Sequence, residues 1–182
     1  MLIDLHTGSF RRTNLPQLRA DLNYPEVADL SRKMGAIVVV QSEGAEGSLR
    51  RAATENGIPA VTLEAGAPHE LDKSAVEIGV KSVESALDGL GLISRRSFWH
   101  RAEEPVYYRS TWVRSGEGGI LLSEVELGQS VKHGEFLGAV TDPITNQRYE
   151  ILSPYNGRII GMALNQVMHP GFAAYHIGIK AS

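Results

Sequence analysis

The 182-residue chain has no cysteine. Disulfides and thiolate-held metals are therefore excluded, and a metal ion could only be bound by His, Asp or Glu. It has no excess of positive charge: 18 Lys and Arg stand against 21 Asp and Glu, a net charge of -3. That balance favours neither nucleic acid nor an anionic membrane as partner. No apolar run approaches the roughly 20 residues that cross a bilayer. The start, Met1-Leu-Ile-Asp-Leu-His6, lacks the basic opening and apolar stretch of a signal peptide, so a cytoplasmic location is expected. The sequence also contains no H-E-x-x-H pair, no P-loop and no G-x-S-x-G elbow.

What remains is ordinary globular composition, 42% hydrophobic and 21% charged. The length allows one domain, or a small domain with an appended module. Residues 1–91 alternate strand and helix signals. The chain opens on an apolar strand, Leu2 to His6, without the loose residues that usually precede one, so a missing upstream segment is expected. Ala36-Ile-Val-Val-Val40 and Ala60-Val-Thr-Leu63 read as strands covered on both faces. Asn23 with Glu26 predicts a capping box, followed by Val27, Leu30 and Met34 on one helix face. Ser48 opens a second helix. A third, from Asp72 or Ser74, carries Val76, Val80, Val83, Leu87 and Leu90 as an apolar stripe. This alternation predicts a largely parallel α/β sheet.

Residues 92–105 are charged and aperiodic and read as a linker. From 106 to 182 short β segments alternate with glycines. A weak repeat is visible: Gly119-Ile-Leu-Leu, Val131-Lys-His-Gly134 and Leu137-Gly-Ala-Val140 answer Gly157-Arg-Ile-Ile160, Val167-Met-His-Pro-Gly171 and Tyr175-His-Ile177. Two such units predict a small all-β module resembling the barrel-sandwich of lipoyl and biotinyl carriers. A carrier needs an exposed lysine at a hairpin tip. Lys132 lies in a turn but lacks the small and hydrophobic neighbours of an attachment site.

Asp4-Leu-His6-Thr-Gly8 ends a strand in a polar pair and a flexible turn. Ligands of parallel sheets bind beyond the carboxyl ends of strands. His6 could be a metal ligand oriented by Asp4, which shares its strand face, or a histidine that merely caps the strand. Glu64 ends its strand in the same way, before Ala65-Gly66. It could act as general base and acid or form an edge ion pair. Arg50 and Arg51, in the first turn of their helix, could grip a substrate carboxylate; the alternative is a solvated pair beside Glu46 or Glu55. His133 and His169 occupy matching turns of the repeat, and His69, His100 and His176 have no ligand-like partner at short spacing.

Taken in order, Asp4-Leu-His-Thr-Gly8, Arg12-Thr-Asn-Leu-Pro16, Glu46-Gly-Ser-Leu-Arg50 and Thr62-Leu-Glu-Ala-Gly66 resemble the succinylglutamate desuccinylase/aspartoacylase family. The resemblance implies a partial zinc-carboxypeptidase-like domain over 1–91, followed by the β module. It implies a zinc-dependent deacylase acting on small N-acyl amino acids, with His6 as the last zinc ligand, Glu64 as the catalytic glutamate and Arg50 or Arg51 on the substrate carboxylate. The family's upstream H-x-x-E pair is absent from these residues. A separate chain or a homo-oligomer could supply the missing part; alternatively, the chain is a non-catalytic homologue acting as an assembly or binding protein.

Overall fold

The structure, a computed structural model, describes residues 1–9, 11–94 and 106–179. Most of the expected linker, 95–105, and His100 with it, lies outside the described residues. The chain forms two compact units. The first takes in residues 1–7, 16–66 and the described residues from Glu70 to Tyr108; the second takes in residues 8–15, 67–69 and the described residues from Arg109 onward.

The first unit is α/β, as the alternating pattern predicts. Its elements are β1 (Leu2–His6), β2 (Arg12–Ala20), α1 (Pro25–Lys33), β3 (Val38–Gln41), α2 (Leu49–Glu55), β4 (Ala60–Gly66), α3 (Lys73–Gly89) and β5 (Val106–Tyr107). The strand order is β1-β4-β2-β3-β5. The β1–β4, β2–β3 and β3–β5 pairs are parallel. The sequence reading misses β2. Pro16 argues against a central strand there, yet it falls between the residues that pair with two of the neighbouring strands, Arg12–Asn14 and Gln17–Ala20. A missing N–H at that point interrupts neither of those two ladders.

The core of this unit joins Leu18, Val39, Val61 and Leu63 of the sheet to Val27, Leu30 and Met34, all buried. The α1 face therefore agrees with its sequence pattern, but its cap does not. Tyr24, not Asn23, is the N-cap, and no side chain caps the helix. Pro25 sets the first turn instead, its fixed φ and missing N–H suiting that position. Asp72 does cap α3, accepting from Ser74 N at 2.8 Å and Ala75 N at 3.3 Å. The expected α3 stripe is not the buried face. Val76 and Val80 are about half exposed, whereas Ser82 and Ala86 are buried and Ala75 and Ile78 pack on the core. Small side chains let the helix approach closely, and that outweighs the larger apolar area of the valine face.

The second unit contains β6 (Arg109–Arg114), β7 (Gly119–Ser123), β8 (Ser130–Val131), β9 (Phe136–Thr141), β10 (Arg148–Leu152), β11 (Gly157–Ala163), β12 (Val167–Met168) and β13 (Ala173–Ile179). The repeat is real in the topology. In each copy the long strands pair antiparallel, β7 with β9 and β11 with β13. Each copy then lends its two-residue strand to the other: β8 pairs with β11 and β12 with β7. Ile159, Ile177, Leu137 and Val140 fill the core. Neither sheet path closes among the described residues. His176 is buried here, stacked on Trp112 with centroids 4.3 Å apart, and the Arg12 guanidinium lies 4.5 Å over the same indole.

Candidate active site

β1 and β4 run side by side in register from Leu2 opposite Ala60 to His6 opposite Glu64. Register partners on neighbouring strands, about 4.8 Å apart, turn to the same face. His6 and Glu64 thus share one rim, at the carboxyl end of the parallel sheet. Asp4 lies two residues back on the same face, and its Oδ2 is 3.0 Å from His6 Nε2. That contact leaves Nδ1 as the ring nitrogen able to present a lone pair outward. Just past Glu64 the chain turns at Gly66, whose φ of +72° disfavours any residue with a Cβ.

Glu64 does not stand alone. Arg19 of β2 donates from Nε to Glu64 Oε1 at 3.1 Å, with side-chain exposures of 20% and 18%. Arg19 is the site residue that the sequence reading misses. The signal was present: a guanidinium between Leu18 and Ala20, both fully buried, must find a partner, because an uncompensated charge in such a place is costly.

The two arginines of α2 part company. Arg50 points inward and is buried. Its Nη1 donates to the Ser42 carbonyl at 2.7 Å and its Nη2 meets Ser42 Oγ at 3.3 Å. Burial lowers its pKa and repulsion from Arg19 adds to this, while attraction to Asp21 and Glu64 opposes it. Its hydrogen bonds go to Ser42, and the pull of Glu64 on it is weaker than that of Asp21. Gly44 makes room for it: φ is +87°, and a Cβ there would come 2.9 Å from Arg50 Nη2. Arg51 faces away, pairing with Glu55 through Nε at 2.8 Å; that hydrogen bond raises its pKa. Below them, Asp21 Oδ1 accepts from Gln41 Nε2 at 3.0 Å and from Asn23 N at 3.2 Å, fixing the ends of β2 and β3.

The structure thus brings together Asp4 with His6, His6 beside Glu64 and Arg19 on Glu64, while Arg50 is held by Ser42 and Arg51 by Glu55. Among the described residues no group of three His, Asp or Glu side chains could hold a metal ion.

No family model matches the sequence, and no curated protein matches it. Solved structures do match. The ectoine utilization protein EutE (DoeB) of Ruegeria pomeroyi, in its apo form, superposes with a TM-score of 0.88 at 18% identity, over 98% of this chain and 60% of that one. The chain has the fold of the succinylglutamate desuccinylase/aspartoacylase proteins. A protein of that description from Rhodobacter sphaeroides aligns at TM-score 0.81 and 17% identity, covering 96% of this chain and 56% of its own. An aspartoacylase family protein from Mesorhizobium loti aligns at 0.78 and 14%, covering 99% and 63%. The likeness to these succinylglutamate desuccinylase/aspartoacylase proteins takes in nearly the whole chain, yet the chain spans only about three-fifths of their length. Among the described residues, no helix is long and apolar enough to cross a membrane.

Proposed function

We propose that these residues form part of a deacylase active site that hydrolyses the amide bond of a small N-acyl amino acid or a similar compound. The supporting observation is the register of His6 against Glu64 at one rim, with Arg19 on the carboxylate. Glu64 takes the proton of a water attacking the acyl carbonyl and delivers it to the departing nitrogen. Arg19 holds that carboxylate in place by its Nε contact. Asp4 fixes the His6 ring. Arg50, between Arg51 and Arg50 the one pointing inward, supplies positive charge for a substrate carboxylate through the N–H donors that Ser42 leaves unused.

The resemblance implies zinc, and a catalytic zinc takes three protein ligands plus water. His6, with Asp4 behind it, does not make such a set. The residues present do not fit a resident zinc unaided; the H-x-x-E ligands would come from outside these 182 residues, in the same polypeptide or in another. The reciprocal strand exchange of the second unit supports reading it as a barrel-sandwich module appended to this domain.

The test uses the protein as its native host makes it. Metal content and hydrolysis of a panel of N-acetyl and N-succinyl amino acids are measured for the wild type and for Glu64→Gln. Turnover should fall by roughly 10²–10⁴-fold, the usual contribution of a general base, with metal content unchanged. A Glu64→Gln protein that turns over normally would refute the assignment. A second reading, a non-catalytic assembly protein, draws on β1, whose outer edge pairs with no described strand and which proteins normally cover. A metal-free, stable dimer would favour it; stoichiometric zinc would count against it.

A further inference from the structure

The second sheet runs β10-β9-β7-β12, and the outer edge of β10 pairs with no described strand. We propose that two copies of this chain associate through that edge, β10 beside β10 in antiparallel register about a two-fold axis at Tyr149. An unpaired edge is a template for a further strand. A self-complementary one gives the closed two-fold contact that most homodimers use.

The ladder fixes which groups face outward. Asp142 N donates to Gln147 O at 2.9 Å. From there the register sets Thr141 opposite Arg148, Val140 opposite Tyr149 and Ala139 opposite Glu150. Antiparallel partners alternate between hydrogen-bonded and non-hydrogen-bonded pairs. Gln147 and Tyr149 therefore turn their backbone groups toward β9, whereas Arg148 and Glu150 turn theirs outward. The side chains of Arg148 and Glu150, two residues apart, stand on one face, and both residues are exposed.

Charge chooses the register. Outward residues must oppose outward residues. Centred on Arg148, the pairing sets two guanidinium groups against each other; centred on Glu150, two carboxylates. Centred on Tyr149, Arg148 of each copy lies opposite Glu150 of the other, each pair exchanging both its backbone hydrogen bonds. Opposite charges directly across a ladder stabilise it and like charges destabilise it, so the Tyr149 register is selected. The Arg148 guanidinium also lies 5.4 Å over the Phe136 ring, which keeps the side chain on the sheet face with its N–H donors available. The same register carries the β9–β10 hairpin tip of one copy, where Ile144 is 89% exposed, alongside Leu152 and Tyr155 of the other, 48% and 41% exposed. Pairing thus covers apolar area that a single copy leaves in water. β6, at one end of the other sheet path, differs: it carries exposed Arg109 and Arg114 and no acid, a one-sign pattern that repels its own copy. The bulge between Ile151 and Leu152 keeps the paired run of β10 short, so the dimer is a weak one of the transient class.

The experiment is sedimentation velocity of the intact chain from about 10 μM to about 1 mM, the span in which weak complexes dissociate. Wild type should pass reversibly from monomer to dimer. Arg148→Glu and Glu150→Arg should each raise the dissociation constant by about tenfold or more, because each turns both cross-strand pairs repulsive. The double variant, with the charges exchanged, should recover near wild-type association, a rescue that a merely structural role would not show. Circular dichroism checks that each variant is folded; should one single variant unfold, the other and the double decide. A wild type that stays monomeric throughout, as it would if the edge served a different polypeptide, overturns the proposal. Unchanged association in the single variants overturns it too, and would place the dimer on another surface such as the outer edge of β1. So does a double variant that fails to recover. None of these outcomes bears on the deacylase reading, since no residue of β10 belongs to the Glu64 site.

Discussion

Arg19→Met removes the guanidinium that holds Glu64 and keeps an unbranched apolar stem in its place. The lost contact is the Nε to Oε1 pair at 3.1 Å, with about a fifth of each side chain exposed. Exposed pairs contribute at most about 1 kcal/mol; stripping one partner from a fully buried pair costs about 3–5 kcal/mol. This pair lies between those limits. Both side chains keep some contact with solvent, which screens the loss and argues for the lower half of the range, about 1–2 kcal/mol. For a chain of this size that is a fall in Tm of roughly 3–6 °C. The decisive assay is a double-mutant cycle. Urea unfolding followed by circular dichroism is measured for wild type, Arg19→Met, Glu64→Gln and the double variant. The two losses should fail to add by about 1 kcal/mol, because the second mutation finds its partner already gone. If they add to within about 0.3 kcal/mol, the ion pair does not hold Glu64 and the geometry of the site must be reconsidered.

Gly44→Ala should destabilise by about 1–2 kcal/mol from the positive φ alone and displace Arg50, seen as a lowered urea midpoint. Leu18→Ala, at a fully buried position, should cost about 2–5 kcal/mol in the same assay. Tyr175→Phe removes a buried hydroxyl that donates to the Leu137 carbonyl at 3.0 Å, and should cost about 1 kcal/mol. Hydrogen bonds from Ser74 and Ala75 lower the pKa of Asp72. Its capping contribution is therefore complete above the unfolded value near 3.9 and lost as pH falls through the folded one. Wild type and Asp72→Ala should differ in helix content at pH 7 and converge in acid; a difference that persists unchanged at low pH would show that the carboxylate is not what caps α3.

The two halves were legible because their hydrophobic rhythms differ. Val38–Val40 and Ala60–Leu63 are runs that only a doubly covered strand accommodates, and glycine spacing exposed the repeat. β2 was hidden because buried polar residues, Asn14 and Gln17 among them, and Pro16 all argue against a strand when only local pattern is weighed. Arg19 disappeared with it, although it touches the residue on which the site centres. The α3 stripe misled for a different reason: periodicity counts apolar area, whereas close packing selected Ala75, Ser82 and Ala86. Between Arg50 and Arg51, adjacent in sequence, no local signal decides; only the placement of Ser42 and Glu55 separates them.

Since Arg12–Asn14 hydrogen-bonds with Gly161–Ala163 in one unit while Gln17–Ala20 serves the other, a single cut in the polypeptide cannot yield two intact pieces. A fragment beginning near residue 106 would leave β11 with bare amides and carbonyls along that flank, a template for sticking to its own copies. Anyone dissecting this protein should graft residues 8–15 back on, or keep the chain whole.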